Sequence, residues 1–129
     1  MTDDELLAAA HEVRERAYCP YSKFRVGAAL IDDNGNVYVG CNVENAANPL
    51  GNCAEVSAIA AMIAAGGKKI VTIAVAGGED DPRACSPCGG CRQRIAEFAD
   101  GATRIIFKTY DGEWQSFSVD EILPESFHF

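Results

Sequence analysis

Two apolar stretches, separated by Gly66-Gly67 and Lys68-Lys69, leave this chain few ways to fold. From Ala54 to Ala65 the residues are almost entirely Ala, Ile, Met and Val around a single glutamate, Glu55. A helix of that composition has no polar face and must be buried on most sides. Ile70 to Ala76 is a continuous apolar run of strand length, which fits a strand covered on both faces. Helices packed over such a strand make a layered α/β domain.

The remaining segments fit around that pair. Asp3 to Ala17 reads as a helix capped by Thr2 or Asp3, with Leu6, Leu7, Ala10, Val13 and Ala17 on one stripe. Pro20 disfavours helical geometry just before it and closes the segment. Phe24, Val26, Ala28 and Leu30 alternate as a strand, Asn34-Gly35 favours a tight turn, and Val37 to Val43 returns. Asn42 to Asn52 is the strand end plus a loop. A second loop, Gly77 to Pro87, leads to a helix from Gly89 to Phe98. Arg104 to Tyr110 and Glu113 to Ser118 form another hairpin around Asp111-Gly112, and Val119 to Leu123 is a short helical turn. The expected architecture is a three-layer α/β/α sandwich with a mixed five-stranded sheet, in one domain spanning 1–129.

Charge narrows the function classes. With 11 basic and 19 acidic residues the net charge is −8, and Lys68-Lys69 and Arg92 with Arg94 are too sparse to track a phosphate backbone. A small-molecule partner is expected, and neither nucleic acid nor membrane: no stretch approaches the roughly 20 apolar residues of a membrane span. Met1-Thr2-Asp3-Asp4-Glu5 lacks the basic and apolar order of a secretory signal, so a cytoplasmic location is expected.

The six cysteines then read as reduced thiols, suited to metal binding rather than disulfides. Cys19 and Cys41 stand in apolar surroundings as small buried fillers. Cys53 directly precedes the Ala-rich helix, and Cys88-Gly89-Gly90-Cys91 opens the next. Helix N-termini favour negative sulfur. Three thiolates on a zinc ion would leave a fourth position open for water, as catalytic zinc sites do, and Glu55 is a carboxylate at the edge of a core that calls for a partner or a function. Three thiolates also leave a zinc site at a formal −1, so something positive must offset it; the helix N-termini supply part and Arg92 is a candidate for more. Two other readings stay open. Cys85 could complete a closed four-cysteine structural site, and Glu55 could be an ordinary first-turn acid.

The ordered set Cys53-Ala54-Glu55 and Pro87-Cys88-Gly89-Gly90-Cys91 resembles the motif of zinc deaminases. Together with Pro20-Tyr21-Ser22-Lys23-Phe24-Arg25-Val26-Gly27-Ala28-Ala29 and Gly40-Cys41-Asn42-Val43-Glu44-Asn45-Ala46, it makes nearly the whole chain similar to the small homotetrameric zinc-dependent cytidine deaminases. The resemblance implies Cys53, Cys88 and Cys91 as ligands of Zn²⁺ and Glu55 as the proton shuttle of hydrolytic deamination at C4 of cytosine. It also implies Asn42 and Glu44 on the sugar hydroxyl, Phe24 against the pyrimidine ring and the Ala54 backbone on its edge. Phe127 would close a neighbouring subunit's site. The chain departs from the family's common pattern at Val56, where Arg often follows Cys-Ala-Glu, which implies a less acidic zinc water. It departs again at Asn48, often an aromatic, on a loop that borders the pocket. The implied reaction is deamination of cytidine and 2′-deoxycytidine in pyrimidine salvage. The alternatives are a deaminase of another aminopyrimidine, such as blasticidin S, and a non-catalytic zinc-stabilised oligomer.

Overall fold

The computed structural model describes residues 1–78 and 83–129. In chain order its elements are α1 (Asp3–Arg14), β1 (Val26–Asp32), β2 (Val37–Cys41), α2 (Ala54–Ala64), β3 (Ile70–Gly77), α3 (Gly89–Glu97), β4 (Arg104–Lys108), β5 (Trp114–Phe117) and α4 (Val119–Ile122), with a 3₁₀ turn at Asn48–Leu50 between β2 and α2. The strands form one sheet in the order β2-β1-β3-β4-β5. The β3–β4 pair is parallel and the others are antiparallel, so the expected mixed five-stranded sheet is present. Positions 79–82, the middle of the expected Gly77–Pro87 loop, lie outside the described residues.

The apolar runs occupy the places their composition requires. β3 is the central strand and is buried along all but one of its positions. On one face Ala28, Leu30, Ile73 and Val75 meet Ala58, Met62, Ile95 and Ile122 from α2, α3 and α4. On the other face Leu6 and Ala10 of α1 lie on Ala29, Ala74, Ala76 and Ile106. The result is the three-layer α/β/α sandwich. Among the described residues no helix is long and apolar enough to cross a membrane.

Small residues set the spacing between layers. A Cβ at Gly27 would stand 2.0 Å from the Ala10 carbonyl oxygen, so α1 rests directly on β1. A Cβ at Gly40 would stand 2.5 Å from the Ala58 nitrogen and 2.6 Å from the Ala54 oxygen, so the first turns of α2 rest on β2 in the same way. That second contact fixes the height of Cys53 and Glu55 above the sheet.

Several boundaries differ from the sequence expectation for identifiable reasons. α1 stops at Arg14 rather than Ala17, because the chain leaves the helix to pair with a distant segment. The Tyr18 amide donates to the Asn42 carbonyl at 3.0 Å, and the Glu44 amide donates to the Tyr18 carbonyl at 2.8 Å. The same pairing ends β2 at Cys41 instead of Val43; Val43 exchanges two hydrogen bonds with Asn52. Thr2 is the cap of α1, in a reciprocal capping box with Glu5. Cys19 and Cys41 are half-buried rather than buried. Phe117 stacks on Phe107 at 4.7 Å, whereas Trp114 is 37% exposed on the edge strand.

The Gly40 contact yields a test. Gly40→Ala forces α2 and β2 apart and is expected to cost about 1–3 kcal/mol in urea denaturation, the usual range for overpacking. Gly101→Ala, where an added Cβ meets nothing within 4 Å, should stay within about 0.5 kcal/mol of the parent.

Candidate active site

Two helix starts converge at one end of the sheet. Cys53 is the N-cap of α2 and Cys88 the N-cap of α3, both with extended backbone. Cys91 follows one turn into α3. The sulfurs of Cys53, Cys88 and Cys91 all lie within 4.8 Å of one another. Sulfurs around a tetrahedral zinc, at a Zn–S distance of about 2.3 Å, sit about 3.8 Å apart, so this donor set fits zinc after small side-chain rotations. Cys85 is not part of the group. Its side chain fills the space beside Gly77, where a Cβ would meet its sulfur at 2.5 Å. The closed four-cysteine reading therefore loses its fourth ligand.

Glu55 stands in the first turn of α2 and is only 4% exposed. Burial pushes its carboxyl above the ordinary range, while its own amide, the Cys91 thiol and the Arg94 charge pull it back. Its negative charge acts on the sulfurs in turn. Cys91 is raised by burial, then by Glu55 and by Cys53 and Cys88. Cys53 is raised by burial and by Glu55, against a hydrogen bond with Cys91. Burial with the Glu55 charge pushes Cys85 up to about 11. Cys88 goes the other way: burial opposes its ionisation, but the Cys91 and Gly90 amides and the Cys91 thiol outweigh it and set it below the usual thiol value.

Beside these groups opens a cavity of about 310 Å³, a size suited to a small molecule. Its walls include Phe24, Asn42, Glu44, Cys53, Ala54, Glu55 and Cys88; of the expected site residues, Cys91 and Phe127 are not on the wall. Cys91 lies behind, fully buried. Phe127 is 69% exposed, and its backbone is clamped by Gln93, which donates to the Phe127 carbonyl at 2.9 Å and accepts its amide at 3.2 Å. A second, larger cavity of about 400 Å³ lies between α2 and α3, lined by Val56, Ile59, Gln93, Arg94 and Phe98 among others. It holds no cysteine or buried acid, so the chemistry belongs to the smaller one.

The wall residues also brace their own surroundings. The Asn42 side chain accepts the Val26 amide and donates to the Phe24 carbonyl, both at 2.9 Å. It ties the start of β1 to the end of β2 and keeps one N–H and one lone pair for a ligand. Glu44 accepts the Tyr21 and Ser22 amides at 3.0 and 3.1 Å and the Ser22 hydroxyl, bonds that hold its carboxyl below the usual range. They secure a loop in which Lys23 takes φ +61° just before Phe24. The Phe24 ring carries the Arg83 guanidinium 5.7 Å from its centroid. Asn48 sits in the 3₁₀ turn, on a shallow depression next to the main cavity.

Sequence reasoning missed two contributors. Cys85, read as a possible fourth ligand, is a wall of the cavity facing Glu55. Arg92, the candidate for offsetting thiolate charge, donates instead to the Pro87 and Ile122 carbonyls, each at 2.8 Å. The cation beside a ligand sulfur is Arg94, with Nη1 3.9 Å from Cys91 Sγ. Helical spacing held that signal, since Arg94 is three residues after Cys91 and shares its face.

Residues 1–109 match the model of the cytidine and deoxycytidylate deaminase zinc-binding region. A cytidine deaminase of Sporosarcina psychrophila is 40% identical over 127 residues, 98% of this chain and 92% of that one. One of Halalkalibacterium halodurans is 42% identical over 122 residues, 95% of this chain and 91% of its own. The crystal structure of cytidine deaminase from Burkholderia pseudomallei superposes with a TM-score of 0.88 at 40% identity, covering 98% of this chain and 100% of that one. That of the Mycobacterium tuberculosis cytidine deaminase gives 0.86 at 32% identity, with full coverage of both.

Metal analysis of single variants checks the donor set. Cys85→Ala should retain one zinc per chain after dialysis, while Cys91→Ala should lose it; equal zinc in both would refute the three-sulfur site.

Proposed function

The chain belongs to the cytidine and deoxycytidylate deaminase zinc-binding family, and from that premise we propose that it hydrolyses cytidine and 2′-deoxycytidine to uridine and 2′-deoxyuridine with release of ammonia, a step of pyrimidine salvage. The observation that carries this reading is the buried Glu55 carboxyl on the wall of a nucleoside-sized cavity, beside three sulfurs within 4.8 Å of one another.

In this reading Cys53, Cys88 and Cys91 hold the zinc, which when bound supplies a Lewis acid that makes water a nucleophile near neutral pH. Phe24 packs on the pyrimidine ring and the Ala54 backbone meets its edge. Asn42 and Glu44 take the sugar hydroxyl with the hydrogen-bonding capacity their bracing contacts leave. Water adds its oxygen to C4 while Glu55 takes one of its protons and delivers it to N3. Glu55 then carries the second proton to the exocyclic nitrogen, the C4–N bond breaks, ammonia leaves and the C4 carbonyl forms. A carboxyl raised by burial suits this double duty, because it holds a proton more readily than a solvated one and so can both take and return it.

The whole chain acts as one domain in a homotetramer in this proposal. Phe127, pinned by Gln93 but outside the wall of its own chain's cavity, would close the site of a neighbouring subunit. Three sulfurs that must stay reduced suit the cytoplasm.

The test is mass-spectrometric detection of uridine and ammonia from cytidine and the zinc-loaded protein. Uridine from the parent, with a loss of about 10²–10⁴-fold or more in Glu55→Gln, is the expected result; no uridine from the loaded parent would contradict it. The buried acid should also carry a cost in the metal-free protein. Its raised pKa means the folded state holds the proton more tightly than the unfolded one. Its contribution is therefore complete below the unfolded value of 4.5 and is lost as pH rises through the folded value. Metal-free Glu55→Gln should melt above the metal-free parent at pH 8, and the advantage should vanish below pH 4.5; a constant difference across that range would refute the assignment.

A further inference from the structure

A zinc ion held by three thiolates leaves its site one negative charge in excess, and the Glu55 carboxylate adds to it. Such a centre needs a positive group against it. The residue after Glu55 is Val56, which is apolar. Arg92 keeps its charge but directs its guanidinium at the Pro87 and Ile122 carbonyls, to which it donates. Arg94, on the face of α3 that carries Cys91, places Nη1 3.9 Å from the Cys91 sulfur.

Two further observations bear on that contact. A Cβ at Gly90 would lie 3.3 Å from Arg94 Nη1 and 4.0 Å from Cys88 Sγ, so the bare glycine keeps the space between the guanidinium and the cysteines open. Among the described residues no carboxylate forms an ion pair with Arg94, so its charge is not spent elsewhere on them.

We propose that Arg94 is a positioning residue of the metal centre: its guanidinium offsets the excess charge of the three-cysteine site and fixes the orientation of Cys91 for the metal. This rests on the three-sulfur ligand set of the proposed function but not on the identity of the substrate. Val56 and Arg94 line the same cavity between α2 and α3, so a cation introduced at 56 from the opposite helix can reach the same place.

The experiment is chelator competition for zinc at fixed pH and ionic strength, with metal-free melting temperatures measured alongside. Arg94→Met, which keeps the aliphatic length and drops the charge, should bind zinc about 10-fold to 100-fold more weakly than the parent, the usual effect of losing a residue that supports a ligand. Its metal-free melting temperature should be unchanged. Arg94→Lys should retain most of the affinity, and Val56→Arg in the Arg94→Met background should recover it. Equal zinc affinity in Arg94→Met and the parent overturns the proposal. So does a loss that Arg94→Lys shares in full and Val56→Arg does not recover, because that pattern marks packing rather than charge. A parent chain that takes up no zinc overturns the ligand set itself, and the role of Arg94 with it, whichever nucleoside the enzyme turns over.

Discussion

Four groups that can carry negative charge share one corner of this protein, and ionising them together there is electrostatically unfavourable without a cation. Cys91 and Glu55 are buried, Cys53 is half-buried, and the charge of Glu55 opposes ionisation of all three clustered cysteines. Metal-free, the corner relieves itself by holding protons, which is why two of its thiols and its carboxyl are pushed above their ordinary values. A divalent cation reverses that balance: it replaces protons on the sulfurs, and binding energy becomes folding energy. Cys88 is the exception with a reason. As the N-cap of α3 it faces amides that favour a thiolate before any metal arrives.

The rest of the fold supports this corner. β3, covered on both faces, gives the rigid central strand, and the bare Gly40 lets α2 sit against β2 so that Cys53 and Glu55 start from a fixed height. Arg92 ties the turn before Cys88 to the end of α4. On the open side of the cavity, Asn42 and Glu44 hold the loop that carries Phe24. The same polar residues that would meet a nucleoside sugar therefore also keep the wall for its base in place. A substitution at either one would disturb binding through two routes.

Much of this was legible in the sequence because it rests on local rules. An apolar helix without a polar face, an apolar strand and two turn signals determine the layers. Two cysteine groups at helix starts, one beside an acid, mark the site. What was not legible depends on long-range contact. Nothing local stops α1 at Arg14; the pairing of Tyr18 with the 42–44 segment does. Cys85 reads as a possible fourth ligand until the cavity shows it as a wall. Helix phase separates Arg94 from Arg92, the one candidate the sequence offered. One residue past Cys91 points to the carbonyls of Pro87 and Ile122, and three residues past points to the sulfur.

Three sulfurs and an open fourth position next to a buried carboxyl are what the proposed chemistry requires of the metal. Zinc K-edge X-ray absorption on the fully loaded protein measures that directly. Three sulfur scatterers near 2.3 Å with one light oxygen or nitrogen scatterer at about 2.0–2.2 Å is the predicted shell. Four sulfurs, with no light scatterer, would contradict the account and make the metal a structural one.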